Sequence, residues 1–197
     1  MSDGQAGRET NVPAIADVTL AVWAAFEVGL RVREAVQGKG GRGHDRGTRV
    51  LIAVSVAATI GAGAAAAASV APSLRTPGAF RVAGVVVMWL GLATRVWAIA
   101  ALGGAFRTTV EVDADQAVVS SGPYRWVRHP SYTGLLLILA GFGLSRGNWL
   151  ALAACLLLPL PSFVWRIKVE ESELERVLGD AYRTYGAGTA RLVPRVW

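Results

Sequence analysis

Apolar residues in this chain gather into five long runs, at 12–30, 50–71, 82–102, 132–144 and 149–165, separated by short polar segments. A membrane-crossing helix needs roughly 20 such residues. Run 50–71 meets that length and is rich in Ala and Gly, which let helices approach closely. Run 12–30 is interrupted by Asp17 and Glu27, and run 82–102 by Arg95. The last two runs are shorter and are joined by Ser145-Arg146-Gly147-Asn148, a turn signal, so they predict a helical hairpin. Pro159 and Pro161 should kink its second arm and free backbone carbonyls, which must then face protein or a polar cavity. The pattern predicts an all-α fold. It is an integral membrane helical bundle of about five transmembrane helices, the last two a hairpin, plus a cytoplasmic C-terminal helix. Residues 1–197 form a single domain, with three N-terminal spans in 1–102 and a polar, site-bearing half in 103–197.

Composition agrees. The chain is 53% hydrophobic and only 17% charged, against about 45–50% and about 25% in soluble domains. Mean hydropathy is +0.41. The N-terminus is polar and carries Glu9 beside Arg8, unlike a cleavable leader. Net charge is +6. The basic residues flank apolar runs, so membrane lipid headgroups, not nucleic acid, are the expected anionic partner. Abundant Ala, Gly, Val and Arg with little Lys resembles the usage of a GC-rich bacterium, which would place the protein in an inner membrane. Loop 31–49 holds Arg31, Arg33, Lys39, Arg42, Arg46 and Arg49, whereas 72–81 holds only Arg75 and Arg81. The positive-inside rule therefore puts the first loop in the cytoplasm, the N-terminus outside and the C-terminus inside. Trp126, Trp149 and Trp165 near run ends fit an aromatic belt. The single cysteine, Cys155, lies in an apolar run and reads as a small buried side chain. With two histidines and no His-x-x-x-His spacing, no metal is expected.

Candidate chemistry sits at both ends of the hairpin. Before it stand Gly-Pro-Tyr at 122–124 and Arg-His-Pro-Ser-Tyr at 128–132, followed by Gly134. Pro130 suits the first turn of a helix. After the hairpin, 166–178 has helical periodicity, with Ile167, Leu174 and Leu178 marking its inward stripe. Glu170 and Glu171 occupy that same stripe, and Arg166 lies one turn before Glu170. Inward carboxylates need partners, because burying a bare charge costs several kcal/mol. Arg128, His129 or a ligand can supply them; a simple Arg166–Glu170 pair on an interfacial helix is the plainer reading. Arg95 is costly within a span and usually functional there. It is expected to face the interior in the cytoplasmic half and to pair with Glu27 or a polar ligand.

These motifs, with Leu174, Gly179, Tyr182, Tyr185 and Arg191-Leu192-Val193-Pro194, resemble the isoprenylcysteine carboxyl methyltransferase family and its phospholipid methyltransferase relatives. The resemblance covers roughly residues 103–197. It implies an integral membrane enzyme that uses S-adenosyl-L-methionine without a Rossmann domain. By the family pattern, the cofactor would meet Gln116, Ala117, Val118, Val119, Tyr124, His129, Pro130, Ser131, Tyr132, Glu170 and Glu171. Arg166 would hold a substrate carboxylate, and Arg166, Glu170 and Arg128 would form the catalytic group. Relatives often carry histidine at the place of Gln116 and phenylalanine at that of Leu178.

The residue types suit methyl transfer from a sulfonium to a carboxylate, which is already ionised near pH 7 and needs no base. The favoured reading is carboxyl O-methylation of a lipid acid. In a bacterium the acid would be a fatty, isoprenoid or polyketide-like acid in place of a prenylated protein C-terminus. Phospholipid headgroup N-methylation ranks second, because Arg166 would repel a cationic amine. An NADPH-dependent membrane reductase and a non-catalytic scaffold are readings from other classes.

Overall fold

The computed structural model describes residues 3–37, 47–68, 75–108, 117–194 and 196–197. Seven α-helices follow one another among these: α1 (Asp3–Val36), α2 (Thr48–Ala68), α3 (Gly78–Leu102), α4 (Pro130–Ser145), α5 (Trp149–Leu157), α6 (Leu160–Leu178) and α7 (Asp180–Gly188). Among the described residues four stretches are long and apolar enough to cross a membrane: Asn11–Val36, Thr48–Ala68, Gly78–Ala105 and Trp149–Leu178; α4 is a shorter apolar helix. The protein is an integral membrane helical bundle. Val18, Val28, Val54, Val86, Leu90 and Leu157 are exposed along its flanks, which only a lipid environment explains for so apolar a surface.

The hairpin forms where the sequence places it. Asn148 caps α5, its Oδ1 accepting from the Leu150 amide at 2.7 Å, and Gly147 turns the chain at φ 72°. The expected kink is a break between α5 and α6 at Leu158–Pro159, since neither Pro159 nor Pro161 can donate to the helix ladder. Ser162 bridges the break. Its hydroxyl lies 2.8 Å from the Pro159 carbonyl and 2.7 Å from Ser55 of α2. The helix carrying the carboxylates is not separate from the hairpin's second arm. Helix α6 runs unbroken from the proline break through Glu170 to Leu178. Gly179, at φ 56°, then turns the chain into α7.

The largest helix interface is α3 on α4. It is built from four glycines in antiparallel register: Gly84 faces Gly141, and Gly91 faces Gly134. A Cβ on Gly91 would stand 2.6 Å from the Gly134 carbonyl oxygen, and one on Gly134 would stand 2.6 Å from the Gly91 carbonyl oxygen. Small residues at this spacing let two backbones touch, which supplies dispersion contact where lipid removes the hydrophobic drive. Met88, Ile138, Leu139, Phe142 and Phe163 fill the core around this seam. Helix α1 packs on α3 and α4, and α2 packs on α5, α6 and α4. Both N-terminal helices thus touch α4.

A buried ion pair fastens α1. Arg95 of α3 is only 8% exposed. Its Nε and Nη2 donate to the two carboxylate oxygens of Glu27, the second at 2.8 Å. The Trp23 indole donates to the same carboxylate at 3.0 Å. Arg95 Nη1 donates to the Ser131 hydroxyl at 2.6 Å. The interior placement and the Glu27 pairing expected for Arg95 are both found.

Two stability outcomes follow. Gly91→Ala should lower the melting temperature of detergent-purified protein, by overpacking that typically costs about 1–3 kcal/mol. Gly61→Ala, with nothing within 4 Å of the added Cβ, should leave the melting temperature unchanged or raise it, the gain in helix stability being at most about 1 kcal/mol. Glu27→Leu should destabilise by about 3–5 kcal/mol because it strands a buried guanidinium, and adding Arg95→Met should recover much of the loss. Equal melting temperatures for the single and double variants would refute the pairing energetics.

Candidate active site

The hairpin returns the chain to the end it left, so both polar motifs meet there. His129 precedes α4 and Pro130 opens it. The C-terminal segment locks this entrance. The Arg128 amide donates to the Ala190 carbonyl at 2.8 Å, and the His129 amide to that of Arg191 at 3.0 Å. The Thr133 hydroxyl donates to the Leu192 carbonyl at 2.8 Å. Helix α7 closes the other side, with the Tyr185 hydroxyl donating to the Tyr124 carbonyl at 2.7 Å.

The neighbouring carboxylates of α6 do different things. Glu171 is 5% exposed. It is clamped by Arg128 at 3.1 Å, His129 Nε2 at 3.3 Å and Arg191 at 2.8 Å. Expected beside the cofactor, it instead fastens the motif to the C-terminal segment and does not line the cavity. Glu170 does line it. Its Oε2 is buried and has no hydrogen-bond partner among the described residues, the His129 Nδ1 being 3.6 Å away. The expected alternative of an Arg166–Glu170 ion pair is not formed.

Arg166 is 2% exposed. Its Nε donates to the Tyr132 hydroxyl at 3.0 Å, Nη1 to Thr48 Oγ1 at 2.7 Å and Nη2 to the Thr108 carbonyl at 2.8 Å. Three tyrosines outside the spans keep their protons. Burial, then the charge of Glu170, drives the Tyr124 hydroxyl far above the ordinary phenol range. Burial, then Glu171, does the same to Tyr182, and burial raises Tyr185. The Tyr182 hydroxyl is buried without a hydrogen-bond partner among the described residues.

One cavity of about 450 Å³ connects these groups, within the size range of small-molecule sites. Its polar end holds Tyr124, Arg128, His129, Glu170, Tyr182 and Tyr185. Arg95, Ser131, Tyr132 and Arg166 lie along it, and Val118 and Val119 contribute from the loop. Helices α1 and α2 contribute a mostly apolar wall through Trp23, Val28, Ile52, Val56 and Ile60, with the charged Glu27, Arg31 and Arg49 also lining the cavity. Of the other expected site residues, Pro130 and Ala117 do not line the cavity, and Gln116 lies outside the described residues. The sequence did not point to Thr48, Thr108 or Glu34, which sit at helix margins among many other polar residues. Glu27 did carry a signal, as an acid within an apolar run.

Residues 83–176 match the model of the isoprenylcysteine carboxyl methyltransferase (ICMT) family. Protein-S-isoprenylcysteine O-methyltransferase of Tribolium castaneum is 35% identical over 104 residues, 52% of this chain and 37% of that protein. The Arabidopsis thaliana protein-S-isoprenylcysteine O-methyltransferase A is 30% identical over 115 residues, 57% of this chain and 58% of that one. The chain therefore spans less than two thirds of the length of these relatives. A solved structure of the eukaryotic intramembrane Ras methyltransferase ICMT superposes with a TM-score of 0.56 at 32% identity, over 59% of this chain and 43% of that chain. The likeness to the isoprenylcysteine carboxyl methyltransferase family thus covers residues 83–176, just under half of the chain.

Proposed function

We propose that the protein is an S-adenosyl-L-methionine-dependent carboxyl O-methyltransferase acting on a lipid or isoprenoid acid at the membrane. The observation that supports it best is the continuity of the cavity, which runs from a polar end rich in tyrosine to an apolar wall between α1 and α2. A cofactor and a lipid can share such a space, and a water-soluble substrate has no use for the second half. On the positive-inside reading, the polar end faces the cytoplasm.

The residues present fit the cofactor. Glu170 offers an unpartnered buried oxygen for its amino group or ribose hydroxyls, and Tyr182 offers an unpartnered hydroxyl. The cavity-lining rings of Tyr124, Tyr132 and Tyr185 give a cation somewhere to lie. When bound, the cofactor supplies an electrophilic methyl group on a sulfonium.

The protein's own contribution is positioning and dryness. Arg166 holds the acceptor carboxylate, as charge-assisted bonds from a guanidinium do well. Its bonds to Tyr132, Thr48 and Thr108 keep the guanidinium from following the substrate into disorder. The apolar walls strip water from the carboxylate, which raises its reactivity without a base. Ser131 accepts from Arg95, so its own proton is free to point into the cavity.

Replacing Glu170 by Gln should weaken cofactor binding and turnover together. Replacing Arg166 by Ala should leave cofactor affinity within a few fold and nearly abolish methylation. Losing such a buried charge-assisted contact costs on the order of 2–5 kcal/mol, or roughly 30- to several-thousand-fold. Calorimetry with the cofactor and radiolabelled methyl transfer to a lipid extract measure the two effects. Full turnover of Arg166→Ala on a lipid acid would end the carboxyl-holding role, and turnover on phosphatidylethanolamine would mean N-methylation.

A further inference from the structure

Arg166 is held by parts of the chain far from it in sequence. Thr48 opens α2, is 1% exposed and accepts from Nη1 at 2.7 Å. Thr108 accepts from Nη2 through its carbonyl at 2.8 Å. Thr108 is in turn gripped by Glu34 near the end of α1. One carboxylate oxygen accepts from its amide at 2.6 Å and the other from its hydroxyl. Glu34 and Thr48 both fall outside residues 83–176.

We infer that Thr48 and Glu34 are positioning residues for Arg166: the first two helices, through one hydroxyl and one carboxylate-gripped carbonyl, set the plane of the guanidinium that meets the substrate. A planar guanidinium fixed at Nε alone can still swing about its side chain. Fixed at Nε, Nη1 and Nη2 by groups on α4, α2 and the 105–108 segment, it has one plane. The third anchor is itself immobilised, because Glu34 takes up both the amide and the hydroxyl of Thr108. The same two helices wall the lipid part of the cavity. Displacement of α1 or α2 by an ill-fitting lipid would therefore turn the arginine out of line, coupling lipid fit to methyl transfer.

This inference rests on the carboxyl-holding role of Arg166, and the test separates the two. Thr48→Val keeps shape and removes the acceptor; Thr48→Ser restores it; Glu34→Gln halves the grip on Thr108. Each full-length variant is reconstituted in nanodiscs with ¹⁵N-arginine, and the Arg166 guanidinium signals are assigned with Arg166→Lys. Hydrogen exchange at the Arg166 guanidinium should accelerate about tenfold or more in Thr48→Val and return to the parent rate in Thr48→Ser. With palmitic acid and N-acetyl-farnesylcysteine as acceptors, kcat/KM should fall roughly 10- to 100-fold in Thr48→Val, the cost of one hydrogen bond to a charged group. Cofactor affinity should stay within about twofold, and Glu34→Gln should show a smaller loss of the same kind. Unchanged exchange in Thr48→Val overturns the inference, whether or not either acceptor is methylated. So does parent-like turnover in Thr48→Val when Arg166→Ala is dead, or a loss that Thr48→Ser does not repair. Turnover surviving in Arg166→Ala instead overturns the underlying reading.

Discussion

The glycine seam between α3 and α4 is the constraint on which the site depends. Backbone contact at Gly91–Gly134 fixes the two helices in axial register as well as in distance. Arg95 lies one turn beyond Gly91, and Ser131 lies three residues before Gly134. In antiparallel register the two are brought together, and Arg95 donates to the Ser131 hydroxyl. A Cβ on Gly134 would itself come within 3.1 Å of the Arg95 Cβ. The proximity that excludes a side chain at Gly134 is therefore what delivers an arginine to the Arg-His-Pro-Ser-Tyr motif. Glu27 then follows, because a guanidinium brought inside a membrane bundle must find an anion.

Two arginines of the cavity are buried, and each ties distant parts of the chain together. Arg95 has a counter-ion in Glu27, itself shared with the Trp23 indole, and so joins α3 to α1. Among the described residues Arg166 donates to the Tyr132 hydroxyl, the Thr48 hydroxyl and the Thr108 carbonyl. Groups from α4, α2 and the 105–108 segment therefore meet at one guanidinium of α6.

Much of this architecture could be read from residue order, and the reasons differ by element. The hairpin was readable because a turn tetrad separates two apolar runs and prolines mark a break, all local signals. The Glu27–Arg95 pair was readable because charges inside apolar runs stand out against their background. The glycine register was not, because its meaning lies in which glycine faces which, and 23 glycines are distributed along the chain. The holders of Arg166 were hidden for the opposite reason. Thr48, Glu34 and Thr108 are ordinary polar residues at helix ends, where polar residues are expected, and only the fold shows that they converge. The separate C-terminal helix was expected because amphipathic periodicity begins at Arg166. In the structure the helix simply changes surroundings there and continues.

The fates of Glu170 and Glu171 show how one step along a helix separates structure from chemistry. Successive residues on an α-helix point about 100° apart. Glu171 therefore turns toward the C-terminal segment, where two arginines and a histidine surround it. Glu170 turns toward the cavity, where one oxygen lacks a hydrogen-bond partner among the described residues. The pair looked equivalent in sequence because both occupy the inward stripe. The clamp at Glu171 consumes Arg128, which is thereby held in place along the cavity wall, and it orients His129 behind Glu170. A carboxylate satisfied by protein can fix the geometry of its neighbours, and one left unsatisfied can bind. Side by side on α6, the first makes the second's position definite enough to serve a ligand.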